Sequence, residues 1–211
     1  AYKNVPLVIG SIGASLRRLA HYDYWTDKVR RSVLVDSTAD ILLYGNAERA
    51  IIEIAHRISS GEKISDITDV RGTAYISKKM PNGWREIDST RIDAPGKIDQ
   101  LYSPYEATDQ KNPSNCPSNT KSLEQDKNNI PQVLSILPSP DAKSSDDDKV
   151  YIRLPSYEKL RNDPVLYAHA SRVFHKETNP GNARVLVQRH GIHELWVNPP
   201  PIPLDTKEMD W

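Results

Sequence analysis

The chain has 211 residues, with 28 basic and 28 acidic side chains that cancel and an apolar content of 37%. Such a balance excludes a nucleic-acid binder held by bulk positive charge, and no apolar run approaches the ~20 residues of a helical membrane span. The single cysteine, Cys116, excludes a disulfide framework and any metal site built from several thiolates.

Composition marks three regions. Residues 1–102 are dense in strand and helix patterns. Residues 103–149 hold six prolines and no glycine among many Ser, Asn, Asp and Lys, a composition too poor in apolar surface to offset chain entropy, so a disordered linker is expected. Residues 150–211 return to ordered patterning. The chain opens at Ala1 almost directly into Val5-Pro6-Leu7-Val8-Ile9, and reads as a segment of a longer protein whose sheet begins upstream.

In chain order, Leu7-Val8-Ile9 before Gly10 reads as a strand buried on both faces. Val29, Val33 and Leu34 recur at helical spacing behind Thr26 as a cap, although the alternation Val33, Val35 also fits a strand. Ile41 to Tyr44 reads as a second buried strand ending at Gly45. Asn46 is placed to cap a helix with the face Ala47, Ile51, Ile54, Ala55 and Ile58, closed by Gly61. Strand, helix, strand, helix predicts an α/β fold, a partial doubly wound and mostly parallel sheet. Thr73 to Ser77 and Trp84 to Asp88 flank Pro81-Asn82-Gly83 and read as a hairpin at its edge. Val150 to Leu154 predicts a further strand, followed by helices at 163–176 and 181–190 broken at Asn179-Pro180-Gly181.

Ligands of open α/β sheets settle beyond the carboxyl ends of the strands, which singles out the turns Gly10 to Ser15 and Gly45 to Glu48. Gly10-x-x-Gly13 fits neither the dinucleotide fingerprint nor a phosphate loop with its lysine, and small turn residues packing a loop on the sheet explain it as well. Arg17, Arg18, Lys28, Arg30 and Arg31 are interleaved with His21, Tyr22, Tyr24 and Trp25. That mixture suits a phosphate or a stacked base, whereas Asp23 and Asp27 offer local ion pairs instead. His169 and His175 fall on different sides of a helix, no histidine spacing suits zinc, and Cys116 has no partner pattern. No carboxylate pair stands out as acid and base.

Two stretches resemble a known family. Ala14 to Trp25 (ASLRRLAHYDYW), Val29 to Ser37 and Tyr44-Gly45-Asn46 with Glu48-Arg49 resemble the amino-terminal region of YgiQ-type radical-SAM proteins. Leu166 to Arg172, His175, Glu177 to Gly181 and Asn198 through Pro203-Leu204 to Asp210 resemble the same family. Ser11 and Gly13 depart from its pattern, as does Asn182. The resemblance implies a cobalamin-binding-like or Rossmann-like fold over 1–102 and a strand–helix extension over 150–211 leading to a radical-SAM barrel. It implies a [4Fe–4S] cluster and S-adenosylmethionine in the full-length parent, with no cofactor, metal or catalytic residue in this segment. Substrate- or ligand-binding residues are then expected at Ser15, Arg17, Arg18, His21, Tyr24 and Glu48. The expected partners are the parent's radical-SAM domain and a substrate of unknown kind, small or macromolecular, in the cytoplasm; neither nucleic acid nor membrane is expected. A nucleotide- or corrinoid-like binding module is the alternative, as is a purely structural domain docking on the barrel. Docking predicts an exposed apolar patch around Trp25, Trp196 and the prolines of 199–203.

Overall fold

The structure, a computed structural model, describes residues 5–78, 81–96 and 149–209. The expected linker at 103–149 lies outside them apart from Lys149, as does Cys116.

β1 (Val8–Ile9) lies parallel to β4 (Ile41–Leu43), with Val8 opposite Ile41. Between them come α1 (Ser11–Leu16), which buries Ala14, then β2 (His21–Asp23), β3 (Lys28–Arg30) and α2 (Val33–Ser37). The helix expected behind Thr26 is therefore two elements. Thr26 is not a cap: its hydroxyl donates to Asp23 Oδ2 at 2.7 Å within the turn of an antiparallel ribbon, where Tyr22 pairs with Val29. The helix starts at Val33, where Ser32 Oγ accepts the Leu34 N–H at 3.2 Å.

After β4, α3 (Glu48–Ser59) covers one face of the sheet. Its side-chain cap is absent, since Ala47 rather than Asn46 occupies the N-cap. Its inner stripe is Ala47, Ala50, Ile54 and Ile58, whereas Ile51 and Ala55 are exposed. The expected face was thus rotated by about one position. Gly61 follows in the left-handed conformation and ends the helix as expected.

β5 (Thr73–Ile76) and β6 (Arg85–Asp88) are both strands, but they do not pair with each other. Thr73, Ala74 and Tyr75 are buried, which suits an interior strand, and β5 is flanked by β4 and β9 (His193–Val197). β6 instead takes the edge beside β7 (Val150–Arg153), in parallel. After β7 come the short α4 (Tyr157–Leu160) and α5 (Pro164–Lys176); Asp163 Oδ1 caps α5 by accepting the Leu166 N–H at 2.9 Å, and Pro164 opens its first turn.

The helix expected at 181–190 is a strand, β8 (Val185–His190). All its residues except Arg189 are buried, so no helical stripe exists there; the apolar run fills both faces of an interior strand between β7 and β9. Gly191 in the left-handed region turns the chain into β9. A last turn of helix, α6 (Thr206–Met209), closes the described chain.

The seven strands form one mixed sheet in the order β1-β4-β5-β9-β8-β7-β6, and residues 150–211, read as an extension, contribute three of them. The pairings fix the directions: β1, β4 and β9 run one way, β5, β6, β7 and β8 the other. Side chains alternate between two cores. Leu34, Leu42, Ile152, Leu186 and Leu195 pack with Val173 of α5 on one face. Ile41, Leu43, Tyr151, Val187 and Trp196 pack with Ile54 of α3 on the other. Helices on both faces of the sheet make this an α/β fold.

Candidate functional site

The strand directions create two opposite rims. At the first, the carboxyl ends of β1, β4 and β9, stand three of the six residues expected from the resemblance. Ser15 Oγ donates to Ser11 O at 3.0 Å and accepts the Gly45 N–H at 3.3 Å, tying α1 to the end of β4. Arg18 turns inward: its guanidinium lies 4.2 Å from the Tyr44 ring centroid and 4.3 Å from that of Phe174, and it donates to Ser15 O. Burial lowers the Arg18 pKa, partly offset by Tyr44, while burial pushes the Tyr44 phenol up to about 12. Glu48 is exposed in the first turn of α3.

This rim is occupied by the chain itself. Tyr44 donates its hydroxyl to Asn198 O, and Asn198 Nδ2 donates to Thr68 O, Val70 O and Thr73 Oγ1, each at 2.9 Å. The segment that follows then crosses the rim. Gly45 and Gly72 both have positive φ, and a Cβ at either would meet Pro201 at 3.0 and 3.1 Å. These glycines admit a proline strap, and beside Pro201 and Arg49 the described residues leave a groove of about 220 Å³. The patch expected around Trp25, Trp196 and the prolines is correspondingly corrected. Trp196 is 2% exposed because it fills the core on interior strand β9, and Trp25, at 89%, stands at the ribbon tip with Tyr24 edge-on at 5.7 Å.

Arg17 and His21 line a separate groove of about 220 Å³ with Asp23, Arg30, Val33 and Asp36. His21 Nδ1 lies 3.4 Å from Leu19 O, and burial lowers its pKa against that contact. Asp23 binds Arg30 at 3.2 Å and Asp36 binds Arg31 at 2.6 Å, so local ion pairs consume much of this charge. The six expected residues are thus split between the first rim, the groove and the ribbon tip.

The second rim, at the carboxyl ends of the adjacent parallel strands β6, β7 and β8, opens into a cavity of about 720 Å³. Asp88 to Thr90 leave β6, Arg153 to Ser156 leave β7, and Arg189, Gly191 and Ile192 leave β8. Leu154, Pro155, Leu166 and Ile192 supply an apolar wall, and Lys159 and Arg189 supply exposed cations. The size suits a small molecule and the position is where parallel sheets bind ligands. Its acids are engaged: Glu194 Oε2 accepts from Arg153 at 2.6 Å, Asp88 Oδ1 accepts from Thr90 N at 2.8 Å, and Glu158 Oε1 accepts from Gly191 N at 2.6 Å. Sequence reasoning missed this site because it read β8 as a helix, which removes the parallel block. The run Val185-Leu186-Val187 was the signal that could have found it.

A buried chain of polar groups braces its floor. His169 Nε2 lies 3.0 Å from Ser89 Oγ, and His169 Nδ1 faces Asp93 Oδ2 at 3.6 Å. Burial raises the Asp93 pKa, but Arg172 at 2.7 Å and Lys176 at 3.3 Å outweigh it and hold the carboxyl below the usual range. The residue types are those of a nucleophile relay, yet Ser89 is 1% exposed and already bonded. The chain of groups locks α5 to the turn after β6 rather than presenting a hydroxyl to the cleft.

A [4Fe–4S] cluster needs at least three thiolates from its protein, and this chain has one cysteine, so its donor set does not fit the cluster. Among the described residues no three His, Cys, Asp or Glu side chains converge to hold a metal ion. Among them, too, no helix is long and apolar enough to cross a membrane.

Comparison with known proteins places this geometry in a family. The model for "Radical SAM N-terminal" matches residues 1–211. A UPF0313 protein of Pseudomonas putida is 58% identical over 211 residues, covering 100% of this chain and 27% of the relative. The UPF0313 protein YgiQ of Escherichia coli K12 is 52% identical over 210 residues, again 100% and 27%. A UPF0313 protein of Vibrio cholerae is 55% identical over 212 residues, covering 100% and 25%. No solved structure matches. The chain spans about a quarter of the length of these curated relatives. With a match that runs unbroken through both halves of the sheet, the chain belongs to the Radical SAM N-terminal family.

Proposed function

We propose that this chain is the accessory recognition domain of a larger radical-SAM protein. The observation that carries the reading is that the family model spans all of residues 1–211 while the chain covers only 27% of its Pseudomonas relative. The [4Fe–4S] cluster and S-adenosylmethionine belong, in this reading, to the rest of the parent polypeptide, which supplies the thiolates that this chain lacks. The parent works in the cytoplasm, where a reducing environment keeps such thiolates available.

Within this division of labour the chain binds and orients. The cleft beyond β6, β7 and β8 holds part of the substrate, its apolar wall excluding water from one side. The ribbon with exposed Tyr22, Tyr24 and Trp25 docks on the rest of the parent, and Arg17 and His21 beside it add polar contacts. Ser15 and Arg18 hold the closed rim in shape, and Glu48 contributes from the exposed start of α3. Isolated exposed apolar residues are ordinary, but a tryptophan and tyrosine packed edge to face at the tip of a two-stranded ribbon make an anchor of the kind that dominates interfaces.

Anaerobic reconstitution with iron and sulfide tests the reading. The full-length parent is expected to develop the broad visible absorption of a cluster, and this chain, treated alongside, is not. Produced separately, this chain and the rest of the parent are expected to co-elute on gel filtration, and Trp25→Ala to weaken that association. Cluster absorption from this chain alone, or independent elution of the two parts, overturns the proposal.

A further inference from the structure

We infer that the groove between the β2–β3 ribbon and the turn carrying α4 is a phosphate-binding site, distinct from the cleft and from the docking tip. The groove has a volume of about 310 Å³ and is lined by Lys28, Val29, Arg30, Tyr157, Arg161 and Asn162. Three of the six carry positive charge and none carries a carboxylate. The neighbouring groove contains Asp23 and Asp36, and the large cleft has three acids against three bases.

Several arginines elsewhere on the molecule are neutralised. Arg57 meets Glu53, Glu62 and Asp69; Arg153 meets Glu86 and Glu194; Arg184 meets Glu177. Among the described residues Lys28 and Arg161 have no such partner. Arg30 is held by Asp23 Oδ2 at 3.2 Å and by Thr26 Oγ1 at 3.2 Å, which orients its guanidinium and leaves Nη1 uncommitted. Lys28 and Arg30 are two apart on β3 and project to the same side. Arg161 is fixed from the other wall, its N–H bonded to Tyr157 O at 3.0 Å after the buried Leu160.

Lys28 and Arg161 face each other across the groove with no carboxylate between them, and Arg30, though paired to Asp23, keeps Nη1 for a further acceptor; a phosphate dianion satisfies all three through charge-assisted hydrogen bonds. The Asn162 amide adds a donor. Tyr157, stacked on His190 at 5.6 Å, supplies a rigid flat wall for the body of the ligand. At the small end of ligand pockets, the groove admits a phosphoryl group with a compact body. The chain's zero net charge makes this a local feature and not a general affinity for polyanions.

Calorimetric titration of the 211-residue chain with inorganic phosphate at low ionic strength tests the site. Saturable binding of one phosphate is expected, weakened at least tenfold by Lys28→Ala and by Arg161→Ala. Arg85→Ala, which removes an exposed cation elsewhere, is expected to leave it unchanged. All three side chains are exposed, so the variants keep the fold, and an unchanged melting temperature verifies it. Succinate, a dianion of different shape, is expected to bind at least tenfold more weakly. No saturable heat, equal loss in Arg85→Ala, or equal affinity for succinate overturns the assignment. So does a single-stranded oligonucleotide that binds more tightly than phosphate through the same side chains, since the occupant is then nucleic acid.

Discussion

Where β1 and β4 end, the chain turns through Gly10 and Gly45, and the space above is taken by Pro201, by Asn198 and by the Arg18 side chain between two rings. Where β6, β7 and β8 end, the chain turns through Ser89, Leu154 and Gly191, and about 720 Å³ stays open. The two rims share a rule and differ in occupancy. Carboxyl ends of parallel strands supply a concave edge, but whether that edge binds anything depends on what the rest of the chain lays across it. Glycine at the first rim serves close packing of a proline strap, not close approach of a ligand.

That contrast can be broken at several points. The largest effect is expected at Trp196 on β9, a strand that ends at the first rim and lends Glu194 to the cleft of the second; its ring is surrounded by Tyr75, Trp84 and Tyr151 at 6.3, 6.3 and 5.1 Å. Trp196→Ala should lower stability by about 3–5 kcal/mol, read from the urea midpoint, and loosen both rims together. A much smaller loss means that the β9 core is not what joins them.

Acid should act next, and on the second rim. His190, at the end of β8, is lowered from 6.5 to about 4 by burial, against the opposing pull of Glu158 and Asp36; Arg31 and His193 add to the lowering. Its Nε2 lies 3.0 Å from Gln188 Oε1, an acceptor, which leaves Nδ1 bare. Because the folded value lies below the unfolded one, the unfolded chain takes up the proton first. Stability is full above pH 6.5 and falls as pH drops toward 4, by on the order of 3 kcal/mol over that window. His21 is lowered in the same sense and adds to the slope. Urea melts at pH 7 and 4.5 should show the loss, and His190→Gln should flatten it; an unflattened slope assigns the dependence to other groups.

Two glycine substitutions sharpen the first rim. Gly45 has φ +68° and Pro201 at 3.0 Å from where a Cβ would lie, so Gly45→Ala should cost about 1–2 kcal/mol for the left-handed backbone alone and displace the strap. Gly13 lies inside α1 with nothing within 4 Å of its added Cβ. Gly13→Ala should instead raise stability by about 0.5–1 kcal/mol. A cost at Gly13 comparable to that at Gly45 contradicts the view that only one of the two glycines is needed by the packing.

Much of this architecture could be read from the residues. The β-branched runs at Val8–Ile9 and Ile41–Leu43, the helix opened by Asp163-Pro164 and the α/β class all announce themselves locally. The misreadings share one physical cause. An interior strand buried on both faces, such as β8, shows no alternation, and a three-residue ribbon strand such as β3 is too short to show a period. Strand partners are chosen across the sheet, so the flanks of Pro81-Asn82-Gly83 look like a hairpin although β5 pairs with β4 and β9. The open cleft depends on those long-range choices, whereas the basic and aromatic residues around 17–31 are visible directly, and only the placement of their acidic neighbours separates a groove lined by carboxylates from one lined by none.

The most direct test of the two-rim account is a crystallographic screen of small fragments soaked into this chain. Bound fragments are expected between Leu154, Leu166 and Ile192, in the mouth beyond β6, β7 and β8. Fragments seated above Gly45 with Pro201 moved aside, and none in that mouth, would contradict it.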